Sequence, residues 1–301
     1  MGFCVTINTM ESIVPQLIIN SIVAGAIYSL VALGFNLVYS TTRFFNLAHG
    51  VLCTIGGYVA YFITTSIGWG IVPAIFVAII STGLISFLID RFVYAELRKR
   101  KATSMVLLVA SLGIMTALQA IIAILFTSQF KTLNTGVETK VYEFWGGIMT
   151  DVQLVTLILT VVIMVVLGLV FSYTRFGKTV RAVSDEEGVA RIVGIDTEKV
   201  ISKIFIIGGM VAGLAGVMVG LDTGIEPTMG MGLLLKGVIA SIIGGVGSIY
   251  GGVVGAFVLG FIENFGIWKI SGEWKDAIAF GVLILFLLFR PHGILGSVGK
   301  K

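Results

Sequence analysis

Three stretches carry residue types that could bind phosphate or attack a carbonyl, and each lacks a group its chemistry requires. Gly177-Lys178-Thr179 has the lysine and hydroxyl that end a phosphate-binding loop, but Ser172 stands where the loop's first glycine belongs. Without that backbone curl the amides cannot wrap a phosphate, so the chain is expected not to hydrolyse ATP by itself. Gly245-Val246-Gly247 begins a dinucleotide fingerprint that breaks at Tyr250. Ser248 is not a nucleophile elbow, because Val246 occupies a position that needs glycine. His49 and His292 are the only histidines, with no HExxH or Cys/His cluster, so no metal and no bound cofactor are expected.

The remaining polar groups of interest lie inside apolar runs: Asn36, Asn46, His49, Gln119, Lys236, Glu263 and Asn264. Polar side chains in such surroundings are costly, and they mark solute pathways or helix contacts. Asn46, His49, Glu263 and Asn264 are the pathway candidates. For Asn46 and His49, capping of a helix start by backbone hydrogen bonds is the favoured reading. Glu263 lies just before Trp268, near enough to a span end for its carboxylate to reach water or to line a path. Lys236 is expected to snorkel.

The elements that hold these groups follow from composition. Of 301 residues, 57% are apolar and 12% charged, and the mean hydropathy is +1.05. Soluble domains carry about 25% charged residues, so one aqueous core could not hide this much apolar surface and lipid must solvate the rest. Apolar runs long enough to span a bilayer occur near 14–39, 45–66, 71–94, 104–127, 152–173, 201–221 and 276–290. The 231–268 stretch is long enough for two crossings but is interrupted by Gly244, Gly245, Gly247, Gly251 and Gly252, so it reads as a helical hairpin or as a broken, re-entrant helix. The expected fold is an all-α polytopic transmembrane helical bundle of about 8–9 spans, forming one domain over 1–301. The first span is too long for a signal core and lacks a basic leader. Cys4 and Cys53 are not expected to form a disulfide.

Arg43, the basic residues of 91–101 and 175–203, and Arg290, Lys300 and Lys301 account for 15 of the 20 Lys and Arg. One alternation of spans puts them all on one face, which the positive-inside rule makes cytoplasmic. Lys131, Lys140, Lys269 and Lys275 fall opposite. The amino terminus is thereby expected outside and the carboxyl terminus inside. The net charge of +4 reflects this membrane asymmetry, and no nucleic-acid partner is expected.

Two connections are long: an extracytoplasmic one at about 128–151 and a cytoplasmic one at about 174–200. In the latter, Val180, Val183, Val189, Ile192 and Val193 alternate roughly with charge, as in a short amphipathic helix. Gly247, Gly251 and Gly255 recur at four-residue spacing, as do Gly208, Ala212, Gly216 and Gly220, and Gly252, Ala256 and Gly260. Such ladders let helix backbones approach closely, and packing within the chain is expected before a dimer face.

NSIVAGAIYSLVALGFNLVYS (Asn20–Ser40), FFNLAHG (Phe44–Gly50), GKTVRAVSDEEGVARIVGI (Gly177–Ile195), IIGGVGSIYGGVVGAFVLGFIEN (Ile242–Asn264) and RPHGILG (Arg290–Gly296) resemble, in order and nearly end to end, the LivH-type permeases of branched-chain amino acid ABC importers. The resemblance implies a division of labour. A LivM-type permease completes the membrane dimer, two cytoplasmic ATPase subunits use ATP and Mg, and an extracytoplasmic binding protein delivers the solute. It also implies that the cytoplasmic loop docks on an ATPase, with Arg181, Asp185, Glu187, Ala190 and Gly194 as the coupling residues. An ion-coupled secondary transporter is the rival reading, since such carriers also use broken helices. A channel has no charged ring or filter sequence in its favour.

Overall fold

The computed structural model describes residues 2–133, 140–268 and 270–295, with 2–12 by backbone alone. The side chain of Cys4, together with Lys269, Lys300 and Lys301, lies outside the described residues. In chain order the helices are α1 (Gly2–Thr42), α2 (Ala48–Phe62), α3 (Ile71–Ile89), α4 (Ala95–Lys99) and α5 (Ser104–Phe126). Strands β1 (Val141–Phe144) and β2 (Gly147–Thr150) follow. Then come α6 (Asp151–Tyr173), α7 (Arg175–Asp185), α8 (Glu187–Ile192), α9 (Thr197–Asp222), α10 (Met229–Gly244), α11 (Ile249–Gly266) and α12 (Lys275–Phe289). A π-helical turn, Asp90–Tyr94, joins α3 to α4 as one continuous rod.

Local chemistry sets many of the helix starts. The side chains of Thr103, Thr150, Thr174, Asp196 and Ser248 each accept a backbone N–H in the first turn of the helix they precede. At Thr150 the cap is reciprocal, because the Gln153 side chain reaches back to the Thr150 N–H.

Among the described residues, seven helical stretches are long and apolar enough to cross a membrane. The apolar helices α10 and α12 are shorter, at 16 and 15 residues. The 231–268 stretch folds as two helices, α10 and α11, joined by a tight turn. The chain reverses at Gly245–Ser248, where Gly245 and Gly247 have φ of 115° and 84°, values that favour glycine. Gly247 thus belongs to this turn and not to the helical face that carries Gly251 and Gly255. The arms are 16 and 18 residues long, or about 24 and 27 Å at 1.5 Å per residue. A Cβ on Gly255 would strike the Ala240 carbonyl, and one on Gly251 would stand 2.6 Å from the Gly244 oxygen. Gly252 and Gly260 face α1, at Asn36 and at Ser21 and Gly25 respectively. These ladders pack inside the chain.

Helices α1 and α9 form the buried centre and belong to both apolar cores. Helices α3, α5 and α6 line the periphery and expose Phe76, Ile80, Ile124, Leu125, Val165 and Leu169, surface that only lipid would solvate favourably.

The structure departs from an all-helical reading in the 128–151 connection. There β1 and β2 pair antiparallel around a two-residue turn, Trp145-Gly146. Both turn residues have positive φ, at 48° and 82°, as a primed hairpin turn requires. The hairpin is tied down by Gln16, whose side chain accepts from the Ile148 N–H at 2.7 Å and donates to its carbonyl at 3.1 Å. Met149 is buried beneath it.

Candidate functional site

The two ends of the bundle are chemically different. At one end, Arg43 donates to the Ser184 carbonyl at 2.5 Å, Arg98 meets Glu198, and Asn36 clamps the α10–α11 turn. The Asn36 amide oxygen accepts from Gly247 N–H at 3.0 Å, and its NH2 donates to the Ser248 carbonyl at 3.1 Å. The tail closes over the same turn, with Ile294 and Leu295 donating to the carbonyls of Ile243 and Gly244. Most of the described basic residues therefore gather at this end. At the other end sit the β-hairpin, the Lys131–Ile225 backbone bridge and the Gln153–Asp222 hydrogen bond.

The basic end carries a platform built from α7 and α8. It is two helices where one amphipathic helix was expected, and their apolar residues point opposite ways. In α7, Val180 and Val183 are buried in the main core. Gly177 lies against the Phe171 backbone, and the Arg181 guanidinium donates to the Phe171 carbonyl. In α8, Ala190 is buried, while Val189, Ile192 and Val193 stand 56%, 84% and 69% exposed. Charge surrounds this apolar patch. Glu187 pairs with Arg191 at 2.7 Å, and both reach the Thr197 hydroxyl. Gly194 turns the chain with φ 88°. Asp185 is exposed between the two helices. Lys199 holds the Asp196 carboxyl below its usual range through hydrogen bonds from side chain and backbone. A cleft of about 800 Å³ separates this platform from the α4–α5 corner, lined by Arg98, Lys101, Glu187, Arg191 and Glu198. An apolar patch ringed by charge, beside a cleft, has the chemistry of a protein docking surface.

Behind the platform lies a group that sequence reasoning missed. Asp90 is fully buried, accepts from the Ser202 hydroxyl at 2.7 Å, and sits 2.8 Å from Arg98. Arg98 also holds Glu198 at 2.8 Å. The Asp90–Arg98 contact is an ion pair without hydrogen-bond alignment. Together these groups fasten the α3–α4 rod to the start of α9. The available signal was a carboxylate at the end of an apolar run with arginine two helical turns later.

The pathway candidates are not brought together. Asn46 does not cap α2: Leu47 stands at the cap position without a side-chain bond, and Asn46 Oδ1 accepts from the Tyr94 hydroxyl at 2.8 Å. His49 is buried and, among the described residues, neither ring nitrogen makes an aligned hydrogen bond, and the same holds for the hydroxyls of Thr54 and Tyr58 farther along α2. The ring fits because residue 34 is glycine; a Cβ there would stand 2.7 Å from His49 Nε2. Glu263 does not reach water. Its side chain is fully buried, 2.5 Å from the Lys236 ammonium, and accepts from the Tyr28 hydroxyl at 2.7 Å. Nor does Lys236 snorkel to solvent, since it binds Glu263 and Asp276, the latter at 2.8 Å. Asn264 beside them donates to the Gly260 carbonyl. Cys53 is buried and free.

Comparison with known proteins matches residues 17–287 to a family described as branched-chain amino acid transport system / permease component. The chain is 33% identical over 301 residues to the high-affinity branched-chain amino acid transport system permease protein LivH of Escherichia coli K12, covering 93% of this chain and 95% of that one. It is 32% identical over 294 residues to BraD, the corresponding permease protein of Pseudomonas aeruginosa, with the same coverages. A probable LivH of Methanocaldococcus jannaschii is 27% identical over 299 residues, 93% of this chain and 92% of its own. Among solved structures, PsaBC from Streptococcus pneumoniae in complex with Fab superposes with a TM-score of 0.51 at 12% identity over 91% of each chain. That likeness concerns the fold alone.

Proposed function

Because this chain belongs to the family of branched-chain amino acid transport permease components, we propose that it is the membrane-spanning subunit of an ATP-driven importer of branched-chain amino acids or related small polar solutes. The observation that carries the reading is the α7–α8 platform. Its inner face is locked to the bundle through Val180, Val183, Arg181 and Arg43, while its outer face offers Val189, Ile192 and Val193 to a partner. A rigidly held apolar knob suits transmission of ATPase closure to the spans. Asp185, Glu187 and Arg191 would set the register of docking.

In this reading the platform end is cytoplasmic, the amino terminus lies outside and the carboxyl terminus inside. Two ATPase subunits supply ATP and Mg chemistry, a LivM-type chain completes the dimer, and an extracytoplasmic binding protein delivers solute. The ion-coupled alternative needs an acidic group in the membrane free to exchange its ion. The two fully buried carboxylates among the described residues, Asp90 and Glu263, already face Arg98 and Lys236. Affinity purification of the tagged chain from native membranes tests the assignment. ATPase subunits should co-elute in stoichiometric amount, and a chain that transports solute alone would contradict it.

A further inference from the structure

A second cavity, of about 330 Å³, opens at the end of the bundle opposite the platform, between α1, α6, α9, α10, α11 and α12. Its lining has three chemically distinct parts. Asp222, at the end of α9, supplies a carboxylate that takes a 3.0 Å hydrogen bond from Gln153 and forms no ion pair among the described residues. Lys275, at the start of α12, supplies an ammonium that is partly exposed and 3.8 Å from Glu263. Glu263 is already satisfied at shorter range by Lys236 and Tyr28. Lys275 can therefore turn to another carboxylate without leaving Glu263 uncompensated. The rest of the wall is mixed: Val23, Ala24, Ile27, Val219 and Leu233 form an aliphatic side, and Asn20, Thr223 and Asn264 a polar one. Tyr28 also lines the cavity, so the Tyr28–Glu263–Lys236 cluster borders it.

One anion, one cation and an aliphatic side, with polar groups beside the charges, match a zwitterion with an aliphatic side chain. We infer that this cavity is a transient binding station for a small aliphatic α-amino acid, its carboxylate toward Lys275 and its ammonium toward Asp222. The inference rests on the importer reading for its choice of solute, but the site stands on its own geometry. A station on a transport route must bind weakly enough to release, and a cavity whose charged groups keep contact with water and with Gln153 meets that requirement.

Protection from labelling tests it. Ala24 lines the cavity, so Ala24→Cys in a Cys4→Ser background, with Cys53 buried, reports on its occupancy in the assembled transporter. L-leucine at twice its dissociation constant should slow maleimide labelling about threefold by mass action. Leucinamide, which lacks the carboxylate, and 4-methylpentanoate, which lacks the ammonium, should protect far less. Asp222→Asn should abolish the advantage of leucine over 4-methylpentanoate, and Asp222→Glu should restore it. Equal protection by all three compounds, or none by any, overturns the site. Leucine uptake by the wild-type complex is measured in parallel. Uptake without protection overturns the station and leaves the importer function standing. Zwitterion-selective protection in a complex that imports no branched-chain amino acid supports the station and contradicts the substrate reading.

Discussion

The Lys236 ammonium lies 2.5 Å from the Glu263 carboxylate, bridging the two arms of the α10–α11 hairpin inside the membrane-spanning bundle. Tyr28 of α1 and Asp276 of α12 extend the contact to two further helices. The cluster therefore fixes how four helices meet at the end away from the platform.

Removing one partner should cost more than removing both. Lys236→Met leaves Glu263 buried with only Tyr28 and the more distant Lys275, and should destabilise the assembled protein by about 3–5 kcal/mol. Glu263→Gln should cost less, because Lys236 keeps Asp276. The double variant should recover part of the Lys236→Met loss. Thermal unfolding of the purified complexes reads this order, and strictly additive losses would argue against coupling of the pair.

The hairpin itself depends on small residues. Leucine at Gly251 or Gly255 would push α10 and α11 apart, at a cost of about 1–3 kcal/mol from overpacking. Assembly of the transporter or its uptake should fall in both variants. Val254→Leu, on the exposed side of the same helix, should be tolerated. Normal uptake by all three would mean the two arms need no close approach.

The platform separates docking from folding. Ile192→Asp alters only the exposed patch, so the chain should insert and pair normally while ATPase association weakens. Val183→Asp buries a charge and should impair folding itself. Asp185→Lys with Glu187→Lys, or a bulky residue at Gly194, should sever solute-stimulated ATP hydrolysis without changing the binding protein's affinity. Normal stimulation in the Ile192 and Asp185/Glu187 variants would make the loop a passive connector.

The proposed sidedness rests on the clustering of basic residues at the platform end. Single cysteines in 98–101 and 184–188 should resist an impermeant thiol reagent in intact cells, and one at Lys140 should react. Labelling of both sets from outside would overturn the orientation and the coupling assignment with it.

Much of this architecture is legible in the sequence, because an apolar run of about 20 residues has few other stable fates. The 231–268 stretch stays ambiguous at that level, since glycine serves turns and close packing alike. Its resolution depends on Asn36, 211 residues away from Gly247. Asp90 is hidden for the same reason, and Glu263, visible as a polar group in an apolar run, gives no local sign of its full burial. A buried carboxylate is tolerated only through partners such as Ser202 and Tyr28, and nothing local names them. The candidate site suffers most. Alternation of apolar and charged residues over 177–196 signals an amphipathic segment, but not that Val183 faces inward and Ile192 outward, because the break at Glu186 reorients the second helix.

Reconstitution of the purified complex in liposomes tests the central claim most directly. Leucine uptake should require ATP and the binding protein together, and should persist when ionophores collapse every ion gradient. Uptake by this chain alone, abolished by an ionophore and indifferent to ATP, would contradict the account.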